Sequence, residues 1–172
     1  DYAEGYNNMG VALKEQGKFL EAINFYKKSI SLKPDFAEAY VNIGVAFKEL
    51  GKLDDSIDAY NKSIAIKPDY ADAYTNIGTV FRQKGMLNEA IDAYQKSISI
   101  KPNNVVALIN MGNTFKDQGK LDDAIITYKK SLSYKPNYID AYLNIGTVLL
   151  EQSKLDEAIE FFNKCISLNP NY

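Results

Sequence analysis

Histidine and tryptophan are absent from the 172 residues, and cysteine occurs once, as Cys165. Without histidine there is no imidazole base near neutral pH, no Ser–His or Cys–His dyad and no histidine metal ligand. Carboxylate or lysine chemistry is all that stays open to an enzyme. A single cysteine closes no disulfide within the chain, which points to a reducing, intracellular setting. Net charge is equally sparse. Twenty basic against 22 acidic residues leave −2, short of the concentrated positive charge that displaces counterions from nucleic-acid phosphates. No apolar run approaches the ~18 residues that span a bilayer, and no leader-like segment opens the chain. Neither nucleic acid nor membrane is an expected partner. The first residue is Asp1 rather than methionine, so a processed or excised chain is expected.

Proline is limited to five residues, and that scarcity is ordered: Pro34, Pro68, Pro102, Pro136 and Pro170 fall 34 residues apart. Such spacing is the mark of a repeat architecture. Gly10, Gly44, Gly78, Gly112 and Gly146 share one phase; Gly17, Gly51, Gly85 and Gly119 share a second, completed by Ser153. Tyr6, Tyr40, Tyr74 and Tyr142 share a third, with Leu108 in the gap. The units run 3–36, 37–70, 71–104, 105–138 and 139–172, a single array.

Each unit reads as two helices. In 37–70, Tyr40, Ile43, Gly44 and Phe47 lie on one helical face. Gly51 permits the positive φ that ends a helix. Asp54, with Asn88, Asp122 and Asp156 in later units, is placed to cap the second helix. Ile57, Tyr60, Ile64 and Ile66 give that helix a buried face, and Pro68 stops it.

The pattern Tyr40-x2-Ile43-Gly44-x2-Phe47, followed by Ser56-x3-Tyr60 and Pro68, resembles the tetratricopeptide signature and recurs across all but Asp1 and Tyr2. The resemblance implies an all-α fold: a right-handed α-solenoid, or superhelix, of five helix–turn–helix units whose first helices line the concave face. Unit stability then accumulates through neighbour interfaces. The departures are Leu108 for the first aromatic, Leu13 and Leu149 for the second, and Ser153 for the turn glycine. They lead us to expect looser packing of the first helix in unit four and a less sharply bent last turn.

On a helical wheel, the fourth, seventh, eighth and eleventh positions of a unit cluster on the buried side of the first helix. The second, fifth, sixth, ninth, twelfth and thirteenth fall opposite. The sixth is asparagine in every unit: Asn8, Asn42, Asn76, Asn110 and Asn144. An amide both donates and accepts, so a row of them can pair with an extended peptide backbone without reading its side chains. The alternative is a row bonded only to the adjacent repeat. The fifth position (Asn7, Val41, Thr75, Ile109, Leu143) and the ninth (Val11, Val45, Thr79, Asn113, Thr147) form a partly apolar floor, with Thr79 and Asn113 as further peptide contacts. Lys48, Arg82 and Lys116, at the twelfth with Lys14, could meet ligand carboxylates, although such rows often pair with neighbouring acids.

The chaperone-tail receptors of the same family hold a terminal carboxylate with lysine and asparagine at the fifth and ninth positions, then lysine and arginine at the second and sixth two units later. Here those slots read Asn7 and Val11, then Asp72 and Asn76, so that ligand class is rejected. Closer is the superhelical repeat arm of O-GlcNAc transferases, which stretches such as Pro34-Asp35-Phe36-Ala37-Glu38-Ala39-Tyr40 and the unbroken asparagine row resemble. That resemblance implies asparagines holding extended protein segments. No catalytic constellation, metal cluster or phosphate-cradling loop converges anywhere in the sequence, so no cofactor and no enzymatic role are expected. The chain ends without a polar capping helix, and Ile159, Phe162, Ile166 and Leu168 make the last helix one that expects a neighbour. Truncation of a longer array, with end-to-end association of copies through this helix, is the expectation. Cys165 reads as a small core residue in a slot held elsewhere by serine.

Overall fold

A computed structural model of the chain describes residues 2–169, and the turn at Pro170 lies outside them. Ten α-helices and no strand occur among the described residues: α1 (Tyr2–Glu15), α2 (Phe19–Leu32), α3 (Ala37–Glu49), α4 (Leu53–Ile66), α5 (Ala71–Gln83), α6 (Leu87–Ile100), α7 (Val105–Asp117), α8 (Leu121–Tyr134), α9 (Ile139–Glu151) and α10 (Leu155–Leu168). They divide into two compact bodies, Asp1–Lys84 and Gly85–Tyr172. In the first, α1 pairs with α2 and α3 with α4, α2 packs on α3 and α4 on α5, and α1, α3 and α5 touch in sequence. In the second, α7 pairs with α8 and α9 with α10, α6 packs on α7 and α8 on α9, and α7 touches α9.

The pairing within each unit rests on a close approach. A Cβ added at Gly44 would lie 2.5 Å from Cε1 of Tyr60, and the same holds at Gly10 against Tyr26 and Gly146 against Phe162, with Gly112 as close to Tyr128. The glycine thus leaves bare backbone where the ring packs. Tyr26, Tyr60 and Tyr128 are fully buried by it. Serine closes some pairs further along. Ser29 Oγ donates to the Ala3 carbonyl at 2.7 Å, and Ser56 Oγ to the Gly44 carbonyl at 2.8 Å. Cys165 occupies the slot of Ser29, is buried, and directs Sγ at the Ile139 carbonyl at 3.8 Å. It is a core residue, as read from the sequence.

Several sequence expectations need correction. Asp54, Asn88, Asp122 and Asp156 are not N-caps. The helices begin one residue earlier, behind Lys52, Met86, Lys120 and Lys154, none of which caps with its side chain. The tight turn leaves only three residues between the helices of a unit, so each aspartate falls in the first turn, where its charge meets the positive end of the helix dipole. From there Asp54 receives the Lys84 ammonium, Asn88 accepts from Gln118 Nε2 at 2.8 Å, and Asp122 accepts from Gln152 Nε2 at 2.8 Å. These exposed links tie successive units, each worth ~0–1 kcal/mol.

Unit four is not loosely packed. Leu108 is fully buried, whereas Tyr40, Tyr74 and Tyr142 are only half-buried. Asn104 adds support: its Oδ1 accepts from the Ala107 amide at 3.2 Å and its Nδ2 donates to Ser97 Oγ at 2.9 Å. It replaces the ring of Phe36, Tyr70 or Tyr138 with a helix cap. The fifth position is not free either. Asn7, Val41, Thr75 and Ile109 are buried; for Asn7, Val41 and Ile109 the next first helix of the same body packs against their own. Ile66, in contrast, is exposed at the far flank of α4, and the face of that helix is completed by Ser56, Ala59 and Ser63.

The last turn is as tight as the others. Ser153 adopts φ 60°, close to the 72° of Gly51. Its bonds, Ser153 N to the Leu150 carbonyl and Lys154 N to the Leu149 carbonyl, both 2.9 Å, repeat those of Gly51 and Lys52. Two adjacent helices require this reversal, so the serine bears the left-handed conformation that glycine takes without a Cβ penalty.

Two predictions follow from this packing. Gly44→Ala forces a methyl into the Tyr60 ring and lowers stability to urea by about 2 kcal/mol, within the range for overpacked cores. Ser153→Gly relieves backbone strain and raises stability by about 1 kcal/mol, which thermal melting resolves as an upward shift of roughly 2–4 °C.

Candidate functional site

The sequence candidates sit on α1, α3 and α5 of the first body and on α7 and α9 of the second. Asn8 is exposed; Asn42, Asn76, Asn110 and Asn144 are half-buried. Asn42 Nδ2 donates to Asn7 Oδ1 across α1 and α3 at 3.0 Å. This is the inter-repeat bond that competes with ligand binding, and it forms because the fifth position one unit earlier is itself an amide. For Asn76 and Asn144 the corresponding residues, 35 positions earlier, are Val41 and Ile109. Both are buried and carry no hydrogen-bonding side chain. The asparagine row is uniform in sequence but not in what its amides meet. Asn7, placed by the sequence on the floor of the face, is the bonding partner of Asn42 that the sequence did not single out, and the signal for it was the offset of 35 rather than 34.

The ninth position governs the tyrosines beneath. Tyr128 Oη donates to Asn113 Oδ1 at 2.7 Å, which engages the carbonyl end of that amide. Val11 and Val45 hold the same place relative to Tyr26 and Tyr60, 15 residues later. Those two hydroxyls are buried without a partner among the described residues. Burial pushes both phenols up to about 12; the charge of Glu15 adds to the shift at Tyr26, while at Tyr60 the nearby Ser56 hydroxyl opposes it and the charge of Glu49 adds to it. They stay neutral across the physiological range and contribute no charge to the face. Thr79 Oγ1 donates back to the Thr75 carbonyl at 3.0 Å.

The basic row is largely neutralised in place. Lys48 Nζ lies 3.0 Å from Glu49 Oε1, Lys14 Nζ lies 3.1 Å from Glu15 Oε1, and Lys116 Nζ lies 3.9 Å from Glu151 Oε1, joining α7 to α9. Arg82 is half-buried. A ligand carboxylate would have to compete with these acids at little net gain. The amides are therefore the better-suited groups on this face for an uncharged backbone. Among the described residues, no cluster of His, Cys, Asp or Glu is arranged to hold a metal ion, and no helix is long and apolar enough to cross a membrane.

No curated protein matches the sequence. Solved structures do share the fold. MamA is 28% identical with a TM-score of 0.82, over 98% of this chain and 92% of that one. YrrB, described as a TPR protein with an unusual peptide-binding site, is 22% identical with a TM-score of 0.74, over 97% and 86%. PilF of Pseudomonas aeruginosa is 18% identical with a TM-score of 0.89, over 98% and 77%. Family models described as TPR repeat match residues 12–51 and 112–153, and others described as tetratricopeptide repeat match 35–103, 93–126 and 139–172. The chain belongs to the tetratricopeptide repeat family.

Proposed function

We propose that this chain is a protein–protein interaction scaffold that holds extended peptide segments along the face of its first helices, through the sixth-position amides. The observation that carries the reading is the state of Asn76 and Asn144. Each amide stands half-buried where the preceding fifth position, Val41 or Ile109, has nothing to bond it. A half-buried amide in that setting gains from a peptide that supplies both a carbonyl and an N–H. YrrB, a relative in fold, is described as binding peptide, and the O-GlcNAc transferase arm resembles this chain in its asparagine row. Within a larger protein the same face would recruit protein substrates to an attached transferase.

A second reading concerns α10. Leu155, Ile159 and Ile166 are exposed along it, Ile159 at 55%. Their counterparts Leu121, Ile125 and Leu132 are wholly or partly covered, Ile125 down to 9%, in the core shared with α9. In this reading α10 receives the α1 face of a second copy, on which Tyr2 and Met9 are exposed, and the chain associates end to end.

Both readings are testable. A peptide selected from a random 12-residue library and titrated calorimetrically should bind Asn76→Ala roughly 10-fold more weakly, the loss of about 1–1.5 kcal/mol of hydrogen bonding, with the melting temperature unchanged. Equal affinity would make the asparagine row structural. In sedimentation velocity across a concentration series, the chain should shift from monomer toward larger species, and Ile159→Lys should hold it monomeric. A wild-type chain that stays monomeric throughout removes the second reading.

A further inference from the structure

On a different face of α3 from Asn42 lies a cleft of about 370 Å³, walled by α2, α3 and α4. Its floor is Ile30, Tyr40, Ile43, Phe47 and Ala59, and its rim carries Lys27, Lys62, Asp55 and Asp58. The volume is well above the ~150 Å³ that admits a benzene ring. The last repeat of the chain shows what fills such a space. There Phe161 stands at the position of Ala59, three repeats on. Its ring meets Tyr142 at 6.1 Å with a 40° tilt, Lys129 Nζ lies 5.9 Å from its centroid, and it packs on the core that contains Ile145 and Leu149.

The residues around the two positions correspond one to one: Lys27 to Lys129, Ile30 to Leu132, Tyr40 to Tyr142, Ile43 to Ile145 and Phe47 to Leu149. The first repeat pairs rings at the same two positions, Phe25 against Tyr6 at 6.2 Å and 41°. The α2–α3–α4 cleft is thus a ring-binding slot that has its tyrosine, its lysine and its apolar floor but an alanine methyl where the ring belongs.

We propose that this cleft is a docking site for an aromatic side chain, of the phenylalanine type, presented by a partner protein. The ring enters above Ala59, tilts against Tyr40 as Phe161 does against Tyr142, and takes Lys27 over its face. A protein segment is the source because the template is a side chain borne on neutral backbone, and because two lysines and two aspartates on the rim give no net preference for a charged ligand. The site is separate from the asparagine row and does not depend on it.

The test is methyl NMR on the full chain, following Ala59, Ile30 and Ile43 during titration with N-acetyl-phenylalanine amide. Saturable shifts at these methyls are expected, with N-acetyl-alanine amide and N-acetyl-leucine amide producing weaker binding. Lys27→Gln should weaken binding roughly 2–5-fold, as loss of an exposed cation–π contact does. Ala59→Phe should place a ring in the slot, abolish the shifts at Ile30 and Ile43, and keep or raise the melting temperature. The proposal is overturned by absent shifts in the wild-type chain or by shifts that persist in Ala59→Phe. It is equally overturned by a lowered melting temperature in Ala59→Phe, by leucine amide binding as well as phenylalanine amide, or by free phenylalanine binding better than its blocked form.

Discussion

The close contact between a ring and the bare backbone of a glycine in the partner helix sets the geometry on which the other features depend. Gly10, Gly44, Gly112 and Gly146 each stand too close to a ring of the following helix for any Cβ to fit. A glycine inside a helix costs about 1 kcal/mol relative to alanine. Burying a tyrosine removes ~150–250 Å² from water, worth roughly 4 kcal/mol at ~25 cal/mol per Å², so the exchange favours the close pair. Once the pair is closed, the loop between its helices has room for little more than a left-handed residue. That is why Ser153 adopts the glycine conformation instead of relaxing the turn.

A framework fixed by so few positions leaves the others open to change repeat by repeat, and the changes alter chemistry without altering the fold. At the fifth position an asparagine engages the amide of Asn42, while valine or isoleucine leaves Asn76 and Asn144 with no such partner. At the ninth, an asparagine receives the Tyr128 hydroxyl and valine leaves those of Tyr26 and Tyr60 alone. An identical asparagine row thus carries amides with different remaining capacity. Uniformity of sequence along a repeat array does not imply uniformity of function along it.

The fold was legible because its causes are local and periodic. Five prolines at one interval and glycines in two phases are enough to mark helix, turn and helix. What escaped the sequence depended on neighbours. A wheel treats one helix in isolation, so it put Asn7 and Val41 on the free side, although the next first helix covers them. Asp54 was read as a cap from its residue type, but the tight turn starts α4 before it, and its carboxylate goes to Lys84 in the next unit. Leu108 looked like a packing defect and is instead fully buried, with Asn104 capping α7 beside it. Of the candidate site, the asparagine positions were readable from the period. Their bonding was not, because it is set by residues 35 places away.

The ring-binding slot shows how far this separation of framework and content goes. Tyr6–Phe25 and Tyr142–Phe161 lie near opposite ends of the chain, in different bodies and with different flanking residues, yet their rings meet at 6.2 and 6.1 Å with tilts of 41° and 40°. A geometry reproduced that closely is dictated by the helix pair and not by the surroundings of either ring. Between them, Tyr40 keeps the same place on the same kind of helix pair, with Ala59 opposite. The alanine there leaves the walls apart, and the cleft is wide enough for a ring. The glycine–tyrosine contact between Gly44 and Tyr60 holds α3 and α4 at their spacing whatever side chain sits at position 59. A cavity kept open by constraints elsewhere is already preorganised, so a guest ring meets little reorganisation on entering it.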